Sequence, residues 1–237
     1  MGEIQRRKNL AGLLKAFHLE FTPNEPVSLL IKGHVPGSSP MESNRTIRAM
    51  IEEIKNGLRL YPSKSDYHNE IIITQWLDDT EVMRLHQTGD CFVLPSYGEA
   101  WGIPGFEAMA LGKPVILTDE GGPAEYVEDG VSGRLVPSRA EPVMIHPNEQ
   151  IPDVWIGNEN WQAPDLAALR HYMREIYENK ELRDKFGNNG IDRAYEFSYQ
   201  KVGQTMKGLL DGTVKPVLYD GSTALREKHS LSAMAAG

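Results

Sequence analysis

The sequence predicts an α/β fold: a doubly wound, Rossmann-like parallel sheet followed by a helical C-terminal segment. Two observations carry that expectation. Short apolar or β-branched runs at residues 27–31, 71–74, 91–94, 115–117 and 134–136 alternate with segments of helical period. That alternation is the pattern of parallel strands joined by crossover helices. In addition, residues 91–117 read as one complete strand–loop–helix–strand unit.

That unit organises the chain. Cys91-Phe92-Val93-Leu94 is short and apolar throughout, as expected of a strand buried on both faces. A polar loop with glycines follows, at residues 95–102. Proline suits a first helical position, so a helix is expected to begin near Pro104. Ile103, Phe106 and Ala110 recur at helical spacing and would form its inner face. Gly112 suits the left-handed residue just past the helix, and Pro114 blocks its continuation. The loop carries Glu99, and Glu107 is expected in the first helical turn. Ligands of open parallel sheets sit in the crevice outside the carboxyl ends of the strands. Carboxylates there accept hydrogen bonds from sugar hydroxyls, and a helix start offers free N–H groups to an anion.

The flanking elements follow in order. Leu10, Leu13, Leu14 and Phe17 share one helix face, with Asn9 as N-cap. Arg6, Arg7 and Lys8 stand immediately before it, where cations oppose the helix dipole. They read either as a solvated basic turn or as a grip on a diphosphate. Residues 27–31 form a strand and residues 33–37 a turn, with His34 facing solvent or a ligand. Residues 41–58 form a helix whose inner face holds Ile47, Met50, Ile51 and Ile54. Residues 71–74 are a buried strand. Trp76 and Leu77 follow, as an apolar wall for a ligand or as packing. Asp78-Asp79-Thr80 opens a helix running to His86, and its acids read as N-terminal capping rather than a metal site. Gly121 and Gly122 permit close backbone approach, and Pro123 starts a helix aimed at the same crevice. The pattern then lapses from 137 to 164, where Pro142, Pro147, Pro152, Pro164, Trp155 and Trp161 suggest an ordered excursion. Helices lined by Leu166, Leu169, Tyr172, Met173 and Ile176, and by Leu182, Phe186 and Ile191, come next. Ser198 caps the last helix. Residues 1–210 are expected to form the folded domain and 211–237 a loosely held tail.

Composition narrows the function. The chain has 237 residues, a net charge of −8 and one cysteine, Cys91. Nucleic acid is not a favoured partner of such an acidic chain, an internal disulfide is impossible, and a reducing, cytoplasmic setting fits. No run is long and apolar enough to span a bilayer. The histidines show no paired metal spacing, Ser96 lacks the context of a hydrolase nucleophile, and neither a Walker A nor a G-x-G-x-x-G run occurs.

The run Gly98-Glu99-Ala100-Trp101-Gly102-Ile103-Pro104, then Glu107-Ala108-Met109-Ala110, Gly112-Lys113-Pro114-Val115-Ile116 and Gly121-Gly122-Pro123-Ala124-Glu125, closely resembles the E-x7-E signature of retaining GT-B glycosyltransferases of the family-4-like group. The resemblance covers about residues 8–210. It implies the donor-binding half of a two-domain enzyme acting on a nucleotide-diphosphate sugar, UDP- or GDP-linked, with no metal or other cofactor, in a pathway such as polysaccharide synthesis. Glu107 would hold the ribose hydroxyls and Glu99 would orient the sugar as the catalytic residue. Gly102, Ile103 and Pro104 would offer the helix mouth, Lys8 with Arg7 would neutralise the diphosphate, and Trp76 or Leu77 would wall the base. The position of the family's second upstream cation is Gly2. Residues 1–5 are too short and polar to replace the family's first strand, so a truncated first strand and an N-terminal acceptor domain supplied in cis or in trans are expected. The competing reading is a non-catalytic nucleotide-sugar-binding or assembly module. An epimerase- or phosphorylase-like GT-B enzyme is a third, without the lysine site that a phosphorylase cofactor needs.

Overall fold

The computed structural model describes residues 2–143 and 158–214. They fall in two compact units, Met1–Glu196 and Phe197–Gly237. The first holds two three-stranded parallel sheets. One consists of β1 (Gly2–Glu3), β2 (Leu30–His34) and β3 (Ile71–Ile73). The other consists of β4 (Phe92–Leu94), β5 (Val115–Thr118) and β6 (Arg134–Val136). Parallel neighbours need crossover connections. These are supplied by α1 (Leu10–Glu20), α2 (Pro40–Leu58), α3 (Asp79–Thr88), α4 (Ile103–Ala110) and the short α5 (Gly122–Tyr126). An antiparallel hairpin follows, β7 (Ser138–Pro142) with β8 (Asn160–Pro164), then α6 (Leu166–Glu178) and α7 (Lys180–Glu196). The second unit contributes α8 (Tyr199–Leu210), capped by Ser198 through the Lys201 N–H.

The core lies where α1, α6 and α7 cover β5 and β6. Phe17, Ile116, Val136, Leu169 and Phe186 are buried in one cluster. All four residues of β5 are buried, as befits a strand with partners on both sides. A second cluster packs Leu10 and Leu14 of α1 against Ile31, Ile47 and Ile51.

Several expected boundaries move. The strand expected at 27–31 is shifted to Leu30–His34, because pairing fixes it: Leu30 opposes Ile71 on one side and Gly33 opposes Gly2 on the other. Gly33 and His34 therefore belong to the strand rather than to a turn. The strand expected to be buried at 71–74 is an edge strand, and Ile71 is half exposed. On α4 the inner face is Gly105, Ala108 and Met109, not Ile103, Phe106 and Ala110; Ile103 is 60% exposed. The reason is Gly105, where an added Cβ would lie 3.1 Å from Leu117 Cδ1 and 3.2 Å from Tyr126 Oη. The missing side chain lets the helix turn that stripe inward. Because α4 begins at Ile103, Glu107 lies beyond its first turn. The expected excursion from 137 to 164 contains a hairpin at its two ends; Pro147, Pro152 and Trp155 lie outside the described residues, as does the tail from 215 onward.

A buried charge cluster joins α1, α2 and the approach to β3. His18 Nε2 lies 2.6 Å from Glu70 Oε1, and Lys55 Nζ donates to Glu70 Oε2 at 3.0 Å and to His68 O at 2.9 Å. Burial pushes the Glu70 carboxyl up, but the bonds from His18 and Lys55 outweigh it and hold it below the ordinary value. Removing one partner of a buried pair strands the other without water. Glu70→Ala is therefore expected to lower unfolding stability by roughly 3–5 kcal/mol, read from urea denaturation; a loss within the scatter of surface substitutions would show that Lys55 and His18 find other partners.

Candidate functional site

The site is assembled by the chain that leaves β1 and the chain that leaves β4. After β1, Arg6–Lys8 forms one 3-10 turn and Asn9 follows at φ 53°. Asparagine tolerates this left-handed conformation better than most residues. Its Oδ1 accepts the Gly12 N–H at 3.0 Å and caps α1, while its Nδ2 donates to Pro95 O at 2.8 Å. The Tyr97 N–H donates to Arg7 O at 2.8 Å, and Arg7 Nη1 donates to Gly98 O. The two connections are thus stitched together by main-chain and side-chain bonds.

The loop from 95 to 102 is held from below as well. Thr118 Oγ1 donates to Ser96 O at 2.6 Å, and the Gly122 N–H donates to Glu99 O at 3.2 Å. A Cβ at Gly121 would sit 2.1 Å from Glu99 O, and one at Gly122 would sit 2.3 Å from Ala100 O. Gly121 also stands at φ 63°. Only glycine allows this approach. The β7–β8 hairpin holds the other side of the loop: Trp161 stacks on Tyr97 with ring centroids 5.0 Å apart, and the Gln162 N–H donates to Tyr97 O at 3.0 Å.

This framework brings Arg7, Lys8 and Glu99 together. Glu99 Oε1 is 2.6 Å from Lys8 Nζ and 3.3 Å from Arg7 Nη1, with only 7% of its side chain exposed. Two cations face one carboxylate, so the cluster carries surplus positive charge and suits an anion. Below it, Tyr126 is fully buried, and burial followed by the Glu99 charge pushes its hydroxyl above the ordinary value. Gly102, at φ 73°, precedes α4 without a side-chain cap, and Ile103 and Pro104 form the helix mouth.

Glu107 is placed differently. Its carboxylate lies 3.6 Å from Nε2 of His86 on α3. Burial, and then the charge of Asp79, raises its pKa. His86 is buried and its Nε2 has no hydrogen-bond partner among the described residues. Burial lowers its pKa to about 4, so the contact is between a neutral imidazole and a carboxylate rather than an ion pair. Sequence reasoning saw His86 only as the end of a helix; a lone histidine on an amphipathic helix carries no signal of its neighbours. Trp76 is 77% exposed, with its ring centroid 5.0 Å from that of His34, and Leu77 beside it is half-buried. Among the described residues no group of three or more His, Cys, Asp or Glu side chains could hold a metal ion, and no helix is long and apolar enough to cross a membrane.

His86 sets a pH dependence. Its folded pKa of about 4 lies below the ordinary 6.5, so the unfolded chain takes up the proton first as pH falls. Its contribution to stability is full above 6.5 and is lost between 6.5 and 4. His86→Phe is expected to flatten that part of the curve, measured as the urea midpoint against pH. The difference between the two proteins separates His86 from Glu107, whose raised carboxyl gives the opposite slope. An unchanged curve would show that His86 titrates alike in the folded and unfolded chain.

The model of the family described as glycosyl transferases group 1 matches residues 1–146. Sucrose synthase 2 of Pisum sativum is 27% identical over 198 residues, covering 83% of this chain and 22% of its own length. Sucrose synthase 4 of Oryza sativa subsp. japonica is 30% identical over 199 residues, again covering 83% and 22%. The chain thus spans less than a quarter of the length of these relatives. Among solved structures, the C-terminal domain of the group 1 glycosyl transferase LpcC from Francisella tularensis superposes with a TM-score of 0.59 at 19% identity, covering 85% of this chain and 84% of that one. HepE of Anabaena, in complex with UDP and glucose, gives 0.59 at 18% identity, covering 89% of this chain and 47% of that one. The parallel sheets with flanking helices are those of a GT-B C-terminal domain, and the chain belongs to the glycosyl transferases group 1 family.

Proposed function

We propose that this chain binds a nucleotide-diphosphate sugar, UDP- or GDP-linked, as the donor half of a retaining, metal-independent glycosyltransferase. The observation that carries the reading is the cluster of Lys8 and Arg7 around Glu99 beside the uncapped start of α4. Cleavage of the anomeric C–O bond leaves negative charge on the departing diphosphate and positive character on the sugar ring. Fixed cations and a helix N-terminus stabilise the former without a metal. In this reading Lys8 and Arg7 turn from Glu99 to the phosphates. The freed Glu99 carboxylate then orients the sugar and answers its developing charge. Main-chain N–H groups of Gly102 and Ile103, ahead of Pro104, hold phosphate or sugar oxygens. Glu107 accepts hydrogen bonds from the ribose hydroxyls. Trp76 and Leu77, on the loop after β3, supply an apolar wall for the base. The acceptor hydroxyl attacks from the face the leaving group vacates and gives up its proton to the released diphosphate. Its binding site comes from an acceptor domain in cis or in trans, so transfer by this chain alone is negligible. HepE and the Staphylococcus aureus protein TarM, both solved with UDP, support the nucleotide class.

Calorimetric titration with UDP-glucose and GDP-mannose tests this. Wild-type protein is expected to bind one of them, with Lys8→Ala and Glu107→Ala each weakening binding about tenfold or more, on the order of 1.4 kcal/mol. The Lys8→Ala loss should shrink at high salt and the Glu107→Ala loss should not. Absence of binding to any nucleotide sugar by the folded wild-type protein would overturn the reading.

A further inference from the structure

α3 buries one residue, and that residue is polar. Of Asp79–Thr88 only His86 is buried, with 2% of its side chain exposed and its ring centroid 5.7 Å from that of Phe92 on β4. A phenylalanine or leucine would fill such a place without desolvating a ring nitrogen, so the imidazole calls for a partner. Among the described residues three side-chain atoms are buried without a hydrogen bond: His18 Nε2, Glu70 Oε1 and His86 Nε2. The first two face each other at 2.6 Å. His86 Nε2 is left to be matched, and what it faces is Glu107 Oε2 at 3.6 Å. That is beyond a hydrogen bond but within a small turn of the glutamate side chain, which is 38% exposed and free to make it.

The imidazole is neutral near neutral pH, since burial lowers its pKa to about 4. One ring nitrogen then carries a proton and the other a lone pair. A lone pair at Nε2 would face the lone pairs of the carboxylate, whereas a proton there faces them as a donor. The carboxylate therefore selects the Nε2–H tautomer. Ribose presents two neighbouring hydroxyls, each a donor, and a carboxylate meets both only in one orientation. A glutamate held by nothing loses that orientation to rotamer freedom. Resting on the donor reading of Glu107, we propose that His86 is a positioning residue: its Nε2–H closes on Glu107 Oε2 when a nucleotide enters and fixes the carboxylate across the 2′- and 3′-hydroxyls, so that the site selects ribonucleotides over 2′-deoxyribonucleotides. The 3.6 Å separation in the free chain is the open form of that bond; such bonds tighten once the ligand is in place. Oε2 keeps a second lone pair for a hydroxyl.

Calorimetric titration of the whole chain at neutral pH compares UDP with 2′-deoxy-UDP and GDP with 2′-deoxy-GDP. Wild-type protein is expected to prefer the ribonucleotide of the base it accepts by about tenfold or more. His86→Phe keeps the packing against Phe92 and removes the donor. It should weaken the ribonucleotide about tenfold, leave the deoxynucleotide within about twofold of wild type and so abolish the preference. Retained binding of the deoxynucleotide reports that the fold stands. His86→Gln, with an amide N–H in place of Nε2–H, should keep most of the preference. Equal weakening of both nucleotides in His86→Phe would mean a structural role. That result, a preference that survives in His86→Phe, or a wild-type protein that binds without preference each overturns the proposal while the donor reading stands. Absence of binding by folded wild-type protein would overturn the donor reading and the proposal with it. An NMR spectrum correlating the imidazole protons and nitrogens reads the contact without any nucleotide. The Nε2–H tautomer of His86 is expected, with its resonance shifted in Glu107→Ala; the Nδ1–H tautomer would overturn the proposal whatever the protein binds.

Discussion

Asn9 is the joint on which the site depends. One end of its amide caps α1 and the other holds the carbonyl of Pro95, where the chain leaves β4. The residue is buried and adopts a left-handed backbone conformation. Its side chain therefore satisfies two main-chain groups that would otherwise be orphaned away from water. The consequence is positional. With the two connections bound at Asn9, Lys8 and Arg7 arrive beside Glu99 from a distant part of the sequence.

Electrostatics and packing then work on different sides of the same loop. An acidic chain places three consecutive cations, Arg6 to Lys8, ahead of a helix start, where they oppose its dipole. Two of them are offset locally by Glu99, which is shielded from solvent and closely approached by both. The loop that carries Glu99 cannot retreat, because Gly121 and Gly122 bring main chain against it from β5 and the hairpin stacks Trp161 on Tyr97. In the proposed function both cations leave Glu99 for the phosphates, so donor binding exchanges one set of charge pairs for another. Glu107 sits outside this arrangement, with its carboxylate beside the neutral His86. Its elevated pKa and the cations' pairing come from separate neighbourhoods.

Legibility varied from residue to residue for physical reasons. The Asn9 cap, the Asp78 cap and the left-handed Gly112 were all visible, since each is a local rule of backbone geometry. The helix of 40–58 was visible because its apolar residues keep helical period. The face of α4 was misread because its contact stripe includes a glycine, which no count of hydrophobic residues registers. The limits of β2 were misread because they belong to the pair and not to the strand alone. The hairpin of β7 and β8 was hidden by its prolines and polar residues, which pair across the strands without an apolar alternation to announce them.

By itself the amino-acid order determined the α/β class, the succession of strands and helices apart from the β7–β8 hairpin, and a loop glutamate, Glu99, ahead of a helix mouth. These follow from periodicity, capping and turn chemistry, all of which act over a few neighbouring residues. Only the tertiary structure decided that Glu99 is clasped by Lys8 and Arg7 and that Glu107 faces His86. Those facts depend on distances between residues remote in the chain, and such distances are set by the packing of whole elements rather than by any local preference.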